Sequence, residues 1–151
     1  LLNIQYKICG DGPLRNDLET MIEAHSLTDI FVITGWLEHD KVLQELEAAD
    51  IYVHPAIWEP YGAAVLEAMA AGLPILGSDN TMAVLDRVEV GVTGLIHETG
   101  NAEMLAEQIV SLLSDPIARS RLALASYNVS RKFPVELGVK ELLRLANIEL
   151  G

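Results

Sequence analysis

Short apolar runs alternate along the chain with longer stretches in which apolar residues recur at helical spacing. The short runs predict five strands, at residues 4–9, 30–33, 51–53, 74–77 and 94–97. Strands that alternate with helical stretches indicate βαβ units and a parallel sheet. We therefore expect an α/β fold, in which a mostly parallel sheet carries helices on both faces, in one domain over residues 1–151.

Helical periodicity and turn residues place the helices between these strands. Four apolar residues share one face of the first helix: Leu14, Leu18, Met21 and Ile22. Asp40 is the predicted cap of the second helix, and residues 62–71 form the third, which ends before Gly72. Asn101 is predicted to cap a helix that breaks at Asp115 and Pro116, and the helical pattern continues to the end of the chain.

Composition and charge narrow the class of protein. The 22 acidic and 10 basic residues give a formal net charge of −12, which disfavours binding to nucleic acid or anionic membranes. Cys9 is the only cysteine, which excludes an internal disulfide and fits a reducing cytoplasm. No apolar run is long enough to span a bilayer. The chain lacks an initiator Met and a signal peptide, so we expect part of a longer protein.

In open parallel sheets, ligands bind beyond the carboxyl ends of the strands. The exits to examine are residues 10–13, 34–38, 54–62 and 78–82. The exit at 54–62 contains Glu59, and Glu67 follows in the second turn of the next helix. The helical neighbours of Glu67 are all alanines: Ala63, Ala64, Ala70 and Ala71. No long side chain fills the space beside this carboxylate, and the core residues Val65 and Met69 fall elsewhere on the helix.

The start of that helix is suited to an anion. Gly62, Ala63 and Ala64 present backbone N–H groups at the positive end of the helix dipole, with little side-chain obstruction. Residues 42–86 contain no Lys or Arg, so a phosphate bound there needs backbone donors or cations from elsewhere. Ionised carboxylates accept hydrogen bonds and so suit sugar and ribose hydroxyls. Together these features point to a nucleotide-sugar.

The segment from Glu59-Pro60-Tyr61-Gly62 to Glu67-Ala68-Met69-Ala70-Ala71-Gly72-Leu73-Pro74 resembles the signature of glycosyltransferase family 4. Two glutamates with seven residues between them are weak evidence alone. Five further blocks agree in order over almost the whole chain, at residues 10–13, 31–35, 49–53, 94–96 and 112–116. The resemblance is to the carboxyl-terminal, donor-binding domain of these two-Rossmann-domain enzymes.

The resemblance implies a retaining transfer of sugar from a UDP-, GDP- or ADP-sugar, with no cofactor and no metal. It implies a catalytic role for Glu59, which would hold hydroxyls of the donor sugar near the reacting carbon. It implies that Glu67 binds the ribose hydroxyls. The donor sugar and diphosphate also meet Tyr61, Gly62, Ala63 and Ala64, and the base lies beside Gly35, Trp36 and Leu37. The acceptor, which is a glycan, a lipid or a small molecule, attacks from the face that the diphosphate leaves.

Several departures from the family pattern shape further expectations. The family's domain opens with a strand-loop-helix unit that carries an Arg and a Lys for the diphosphate, and this chain starts after it. The amino-terminal acceptor domain is also absent, so we expect the fragment alone to be inactive. The resemblance implies a cytoplasmic protein, with the missing domain as a route to the membrane surface. We expect the unpaired strands at 4–9 and 51–53 to pair directly or the fragment to self-associate.

Alternative interpretations remain open at this stage. A non-catalytic nucleotide-binding or scaffolding domain, or a UDP-sugar epimerase of related fold, would share much of this pattern. We expect His54 to be satisfied by backbone rather than to touch phosphate. Trp36 is either a platform for the base or a partly buried rim residue. Asn80, Thr81 and Met82 replace the Gly-Gly pair common in the family, which leaves that loop's conformation open.

Overall fold

Five strands and six helices are formed within residues 4–133, the part of the chain that the computed structural model describes. The strands are β1 (Tyr6–Cys9), β2 (Phe31–Gly35), β3 (Tyr52–His54), β4 (Ile75–Ser78) and β5 (Gly94–His97). The helices are α1 (Arg15–Ala24), α2 (His39–Glu47), α3 (Ala63–Ala70), α4 (Met82–Arg87), α5 (Ala102–Ser114) and α6 (Pro116–Ser130). The helical prediction for residues 134–151 lies outside the described residues.

The strands form two parallel sheets. β1 pairs with β2, placing Tyr6 opposite Phe31. The second sheet has the order β3-β4-β5, with Tyr52 opposite Ile75 and Gly77 opposite Ile96. The predicted α/β class with parallel strands is confirmed. No hydrogen-bonded ladder joins the strands at 4–9 and 51–53 among the described residues, so their expected direct pairing is not observed. The alternative expectation, self-association of the fragment, stays a prediction.

The chain divides into two compact units, Leu1–Glu45 and Leu46–Gly151, and the second contains a closely packed core. Val65 and Met69, one helical turn apart on α3, are both fully buried, as their spacing predicts. Ile75 and Leu76 of β4 are likewise fully buried, and Leu112 and Leu122 of α5 and α6 form a cluster with Leu76. Burying each such side chain stabilises the fold by about 1.5–3 kcal/mol.

The side chains of the first unit are less well buried. None of the residues of α1 is buried, and Leu14 just before α1 and Met21 within it are 64% and 59% exposed. Gly35 is the one buried residue between positions 4 and 45. The helical face that the sequence predicts for α1 is therefore formed but largely open to solvent.

Helix boundaries follow local chemistry in most places. The Asn101 side chain accepts a hydrogen bond from the Met104 amide at 2.9 Å, so the predicted cap of α5 is confirmed. Asp115 accepts from the Ile117 and Ala118 amides and starts α6, where Pro116 occupies the first turn. The predicted cap of α2 is wrong, because α2 begins at His39 and Asp40 lies within its first turn.

The sequence pattern missed α4. This helix has only six residues and no side-chain hydrogen bond at its cap, Thr81. It is held by tertiary contacts instead, because Ala83 and Val84 are buried. Within residues 4–133, no helix is long and apolar enough to cross a bilayer.

Candidate functional site

The loop between β3 and α3 folds around the carboxylate of Glu59. Its Oε1 atom accepts hydrogen bonds from the backbone N–H groups of Tyr61, at 3.0 Å, and Gly62, at 2.9 Å. These two bonds stabilise the ionised carboxylate and lower the pKa of Glu59. Glu59 is half-buried, so its carboxylate is both fixed in place and partly accessible.

Gly62 makes this turn possible. Its backbone adopts a left-handed conformation, with φ of 57° and ψ of 58°, immediately before α3. A Cβ atom on Gly62 would lie 2.4 Å from the Cβ of Ala83 on α4. Both the backbone conformation and the close approach of α4 therefore require glycine at this position.

The segment after β4 holds the same loop from the other side. The Met82 amide donates to the Glu59 carbonyl at 3.1 Å, and Asn80 Nδ2 donates to the Ile57 carbonyl at 2.7 Å. The Ser78 hydroxyl donates to the carbonyl of Ala56. The structure thus brings two predicted strand exits, 54–62 and 78–82, together. The residues that replace the family's Gly-Gly pair belong to this support.

The start of α3 lies directly beside the Glu59 carboxylate. Of the three amides predicted to meet a diphosphate, that of Gly62 donates to Glu59 here. Within the described part of the chain, the Ala63 and Ala64 amides have no protein acceptor, as expected in a first helical turn. Ala63 is exposed and Ala64 is half-buried, so these two amides are the donors available to an anion.

Glu67 lies in the second turn of α3, as predicted, and is half-buried. Val65 and Met69, which point into the core, lie on a different face of the helix from Glu67. The residues three and four positions from Glu67 along the chain are the four alanines, as the sequence shows. The expectation that Glu59 and Glu67 line one crevice stays a prediction.

The predicted base-side residues, Gly35, Trp36 and Leu37, belong to the first unit. Gly35 ends β2 in a left-handed conformation with φ of 71°, and its carbonyl accepts from the Gly10 amide at 2.9 Å. The structure therefore brings the exits after β1 and β2 together. Trp36 is 81% exposed, so it is not a partly buried residue, while Leu37 is half-buried.

His54 is not satisfied as the sequence suggested. The Nδ1 atom lies 3.3 Å from the Tyr52 hydroxyl, and the buried Nε2 atom has no partner among the described residues. Burial lowers the pKa of His54, which the nearby Glu59 charge opposes in part. Burial therefore favours the neutral form of this imidazole.

Arg87 and Asp79 are contributors that the sequence pattern did not single out. Arg87 ends α4, one residue beyond the cation-free segment 42–86, and its guanidinium reaches the Tyr61 carbonyl at 2.8 Å. Asp79 accepts hydrogen bonds from the hydroxyl and the amide of Thr99, at 2.7 and 2.9 Å, which lower the pKa of Asp79. The sequence signals for them were the predicted strand exit at 78–82, which contains Asp79, and the end of the cation-free segment at Arg87.

Two other features of the described residues bear on ligand binding. Within the described residues, no group of three or more His, Cys, Asp or Glu side chains is arranged to hold a metal, and the predicted independence from metal stays a prediction. A shallow hollow of about 210 Å³ in the first unit is lined partly by Glu19 and Glu23. It contains none of the predicted site residues, and its carboxylates make it unsuited to a phosphate.

Comparison with known proteins identifies the class. Residues 1–129 match the family model of group 1 glycosyl transferases, and the chain belongs to this family. It is 34% identical over 119 residues to the α-D-kanosaminyltransferase of Streptomyces kanamyceticus, covering 79% of this chain and 31% of that protein. It is 32% identical over 119 residues to the 2-deoxystreptamine N-acetyl-D-glucosaminyltransferase of Niallia circulans, covering 78% and 30%.

A solved structure shows the same fold. HepE from Anabaena, in complex with UDP-glucose, superimposes with a TM-score of 0.88 at 22% identity, covering 97% of this chain and 42% of HepE. The chain spans about three tenths of the length of the two transferases it resembles in sequence. The sequence similarity and the shared fold therefore correspond to only part of the length of these relatives.

Proposed function

We propose that this chain is the donor-binding domain of a retaining glycosyltransferase of family 4 and holds a nucleotide-sugar at Glu59 and the start of α3. The observation that carries the proposal is the Glu59 turn. One carboxylate is fixed by two backbone amides, at 2.9 and 3.0 Å, directly before a helix whose next two amides are available to an anion.

The parts of a nucleotide-sugar match the chemistry of these groups. The Ala63 and Ala64 amides lie at the positive end of α3 and suit the diphosphate, with Tyr61 and Gly62 forming the turn before them. The second oxygen of the Glu59 carboxylate accepts hydrogen bonds from hydroxyl groups of the sugar. The Glu67 carboxylate, one turn along α3, accepts hydrogen bonds from the ribose hydroxyls. Gly35, Trp36 and Leu37 are the proposed neighbours of the base.

The proposed reaction leaves the sugar's anomeric configuration unchanged and needs no metal or cofactor. The bond from the anomeric carbon to the diphosphate breaks as an acceptor hydroxyl attacks the same face, and a leaving phosphate oxygen takes the acceptor's proton. The helix dipole and amides stabilise the charge that develops on the diphosphate. Glu59 positions the sugar during this step.

UDP is the first nucleotide to test, because the structural neighbour HepE was solved with UDP-glucose. We expect this chain to bind UDP, GDP or ADP weakly, since the described site offers backbone amides to the diphosphate, and to transfer no sugar alone. Calorimetry or NMR shift titration of the three nucleotides measures this. Micromolar or tighter binding would contradict our account of the phosphate contacts.

Glu67 provides a sharper test of the site. Glu67→Ala should weaken a ribonucleoside diphosphate about tenfold or more, because hydrogen bonds to a charged group contribute about 1.5–3 kcal/mol each. The same variant should scarcely affect the 2′,3′-dideoxy nucleotide. Glu107→Ala, which alters an exposed glutamate of α5, is the matched control. Equal weakening of both nucleotides would show that Glu67 does not hold the ribose.

A further inference from the structure

We propose that Arg87 is a positioning residue of the donor site, and that its guanidinium locks the peptide group between Tyr61 and Gly62. The effect of this lock on donor binding rests on the proposed function. The contacts that form the lock do not depend on that function.

Arg87 binds the turn through backbone carbonyls. Its Nη1 atom donates to the Tyr61 carbonyl at 2.8 Å and lies 3.4 Å from that of Gly62. The guanidinium carbon lies 5.6 Å from the centre of the Tyr61 ring and 5.9 Å from that of Phe133, within the range of cation–π attraction. Arg87 is half-buried among these groups.

The two ends of one peptide group are bound by opposite charges. The Tyr61 carbonyl and the Gly62 N–H belong to the same planar unit, so Arg87 holds its oxygen while Glu59 accepts from its nitrogen. A cation on the carbonyl polarises the group and strengthens the hydrogen bond that the N–H donates. Arg87 therefore acts on the Glu59 carboxylate without touching it.

Glycine makes such a lock necessary. Gly62 can adopt positive and negative φ with similar ease, so the peptide group before it can rotate to a flipped orientation. A flip would break the bonds to Arg87 and Glu59 together and would reorient the chain just before the first amides of α3. The left-handed conformation of Gly62 is thus maintained by its neighbours.

α4 brings Arg87 to this position. The backbone N–H of its first residue, Met82, donates a hydrogen bond to the Glu59 carbonyl, and Ala83 packs against Gly62. Arg87 is its last residue and reaches the same turn from the other end of the helix. A six-residue helix anchored at both ends by the Glu59 loop has little freedom to move away from it.

Amide hydrogen exchange in the ligand-free chain tests the lock directly. Arg87→Gln should speed exchange at Gly62 at least tenfold, while Leu76 in β4 exchanges as in the native chain. Arg87→Lys should give a smaller increase, because an ammonium keeps the charge but lacks the planar guanidinium. Arg121→Gln removes a similar bond, from Nη1 to the Gly91 carbonyl at 3.2 Å, and should leave Gly62 unchanged.

Gly62 exchange that stays within twofold of native in Arg87→Gln, with Leu76 also unchanged, would overturn the proposal. So would a general increase that includes Leu76, since that reports unfolding rather than a local lock.

UDP titrations then separate a positioning role from a direct phosphate contact. If Arg87 positions the turn, both variants should bind UDP more weakly than the native chain. The loss of affinity should be larger for Arg87→Gln than for Arg87→Lys, as expected for the increase in Gly62 exchange. Weaker UDP binding with unchanged Gly62 exchange would assign Arg87 to the phosphate and overturn the positioning role. If the native chain binds no nucleotide, the proposed function fails, while the exchange experiment still decides on the lock.

Discussion

The two units of this chain differ in how their apolar residues are used. In the second unit, Met69 is fully buried among residues such as Val65 and Ile75. In the first unit, Met21 occupies a similar place in the helical pattern but is 59% exposed. The same kind of helix, with the same kind of apolar face, is therefore a core element in one unit and a surface element in the other.

The two units also differ in how firmly their own predicted site residues are held. Glu59, Gly62 and Arg87 belong to the unit that has its own core, and their positions are fixed by several hydrogen bonds. Gly35 and Trp36 belong to the unit with little buried surface. Regions with few buried contacts open locally at low free-energy cost. We therefore expect the residues for sugar and diphosphate to be preorganised and those for the base to be less rigid.

A pair of methionine substitutions should show the largest difference in the free energy of unfolding. Met69→Ala removes fully buried atoms and should lower the free energy of unfolding by about 2–5 kcal/mol. Met21→Ala, the matched control, should change it by no more than about 0.5 kcal/mol, because most of that side chain is already in water. Urea denaturation followed by circular dichroism measures the loss, and amide exchange in β1 and β4 reports each unit separately. A comparable cost for Met21→Ala would show that the first unit is packed more tightly than its exposure indicates.

Two glycines in the second unit give the next largest effect. Gly62→Ala should destabilise by about 2–4 kcal/mol, since it combines a left-handed backbone with a Cβ placed 2.4 Å from that of Ala83. Gly91 has a similar backbone, with φ of +75°, but nothing lies within 4 Å of its Cβ position. Gly91→Ala should therefore cost only about 1–2 kcal/mol, for the conformation alone.

The difference between these glycine variants measures the packing of α4 on the site turn. Adding Ala83→Gly to Gly62→Ala should recover part of that difference by removing the overlap. Equal losses for Gly62→Ala and Gly91→Ala in urea denaturation would contradict the close approach of α4.

The sequence predicted the elements better than their packing. Apolar periodicity identified the five strands of residues 4–133, the chemistry of Asn101 identified one helix cap, and Asp115 with Pro116 identified a helix break, because these signals are local. Periodicity shows which face of a helix is apolar but not what covers it. Nothing in the spacing of Leu14, Leu18 and Met21 distinguished an exposed face from a buried one.

The candidate site shows the same limit. The resemblance directed attention to Glu59 and Glu67, and the local sequence placed Gly62 before a helix. The hydrogen bonds that orient Glu59 come in part from α4, a helix too short to give a periodic signal. The role of Arg87 depends on a contact across 26 positions in the chain, which no local pattern contains.

The smallest expected effect is a pH dependence that originates in the second unit. His97 is only 3% exposed, its buried Nδ1 atom has no partner among the described residues, and burial lowers its pKa from 6.5 despite the nearby carboxylate of Asp79. As the pH falls through 6.5, the unfolded chain takes up a proton that the folded chain does not, so stability decreases. The decrease ends once the pH is below the folded-state pKa. One histidine contributes a slope of at most about 1.4 kcal/mol per pH unit.

His97→Leu should flatten this pH dependence of stability, and His54, whose pKa is also lowered by burial, should account for the remainder. Urea denaturation between pH 8 and pH 5 measures both slopes, and the difference between variant and native should be constant above about pH 7.5, where the imidazole is neutral in both states. An unchanged slope in His97→Leu would mean that this buried imidazole is protonated as easily in the folded chain as in the unfolded one.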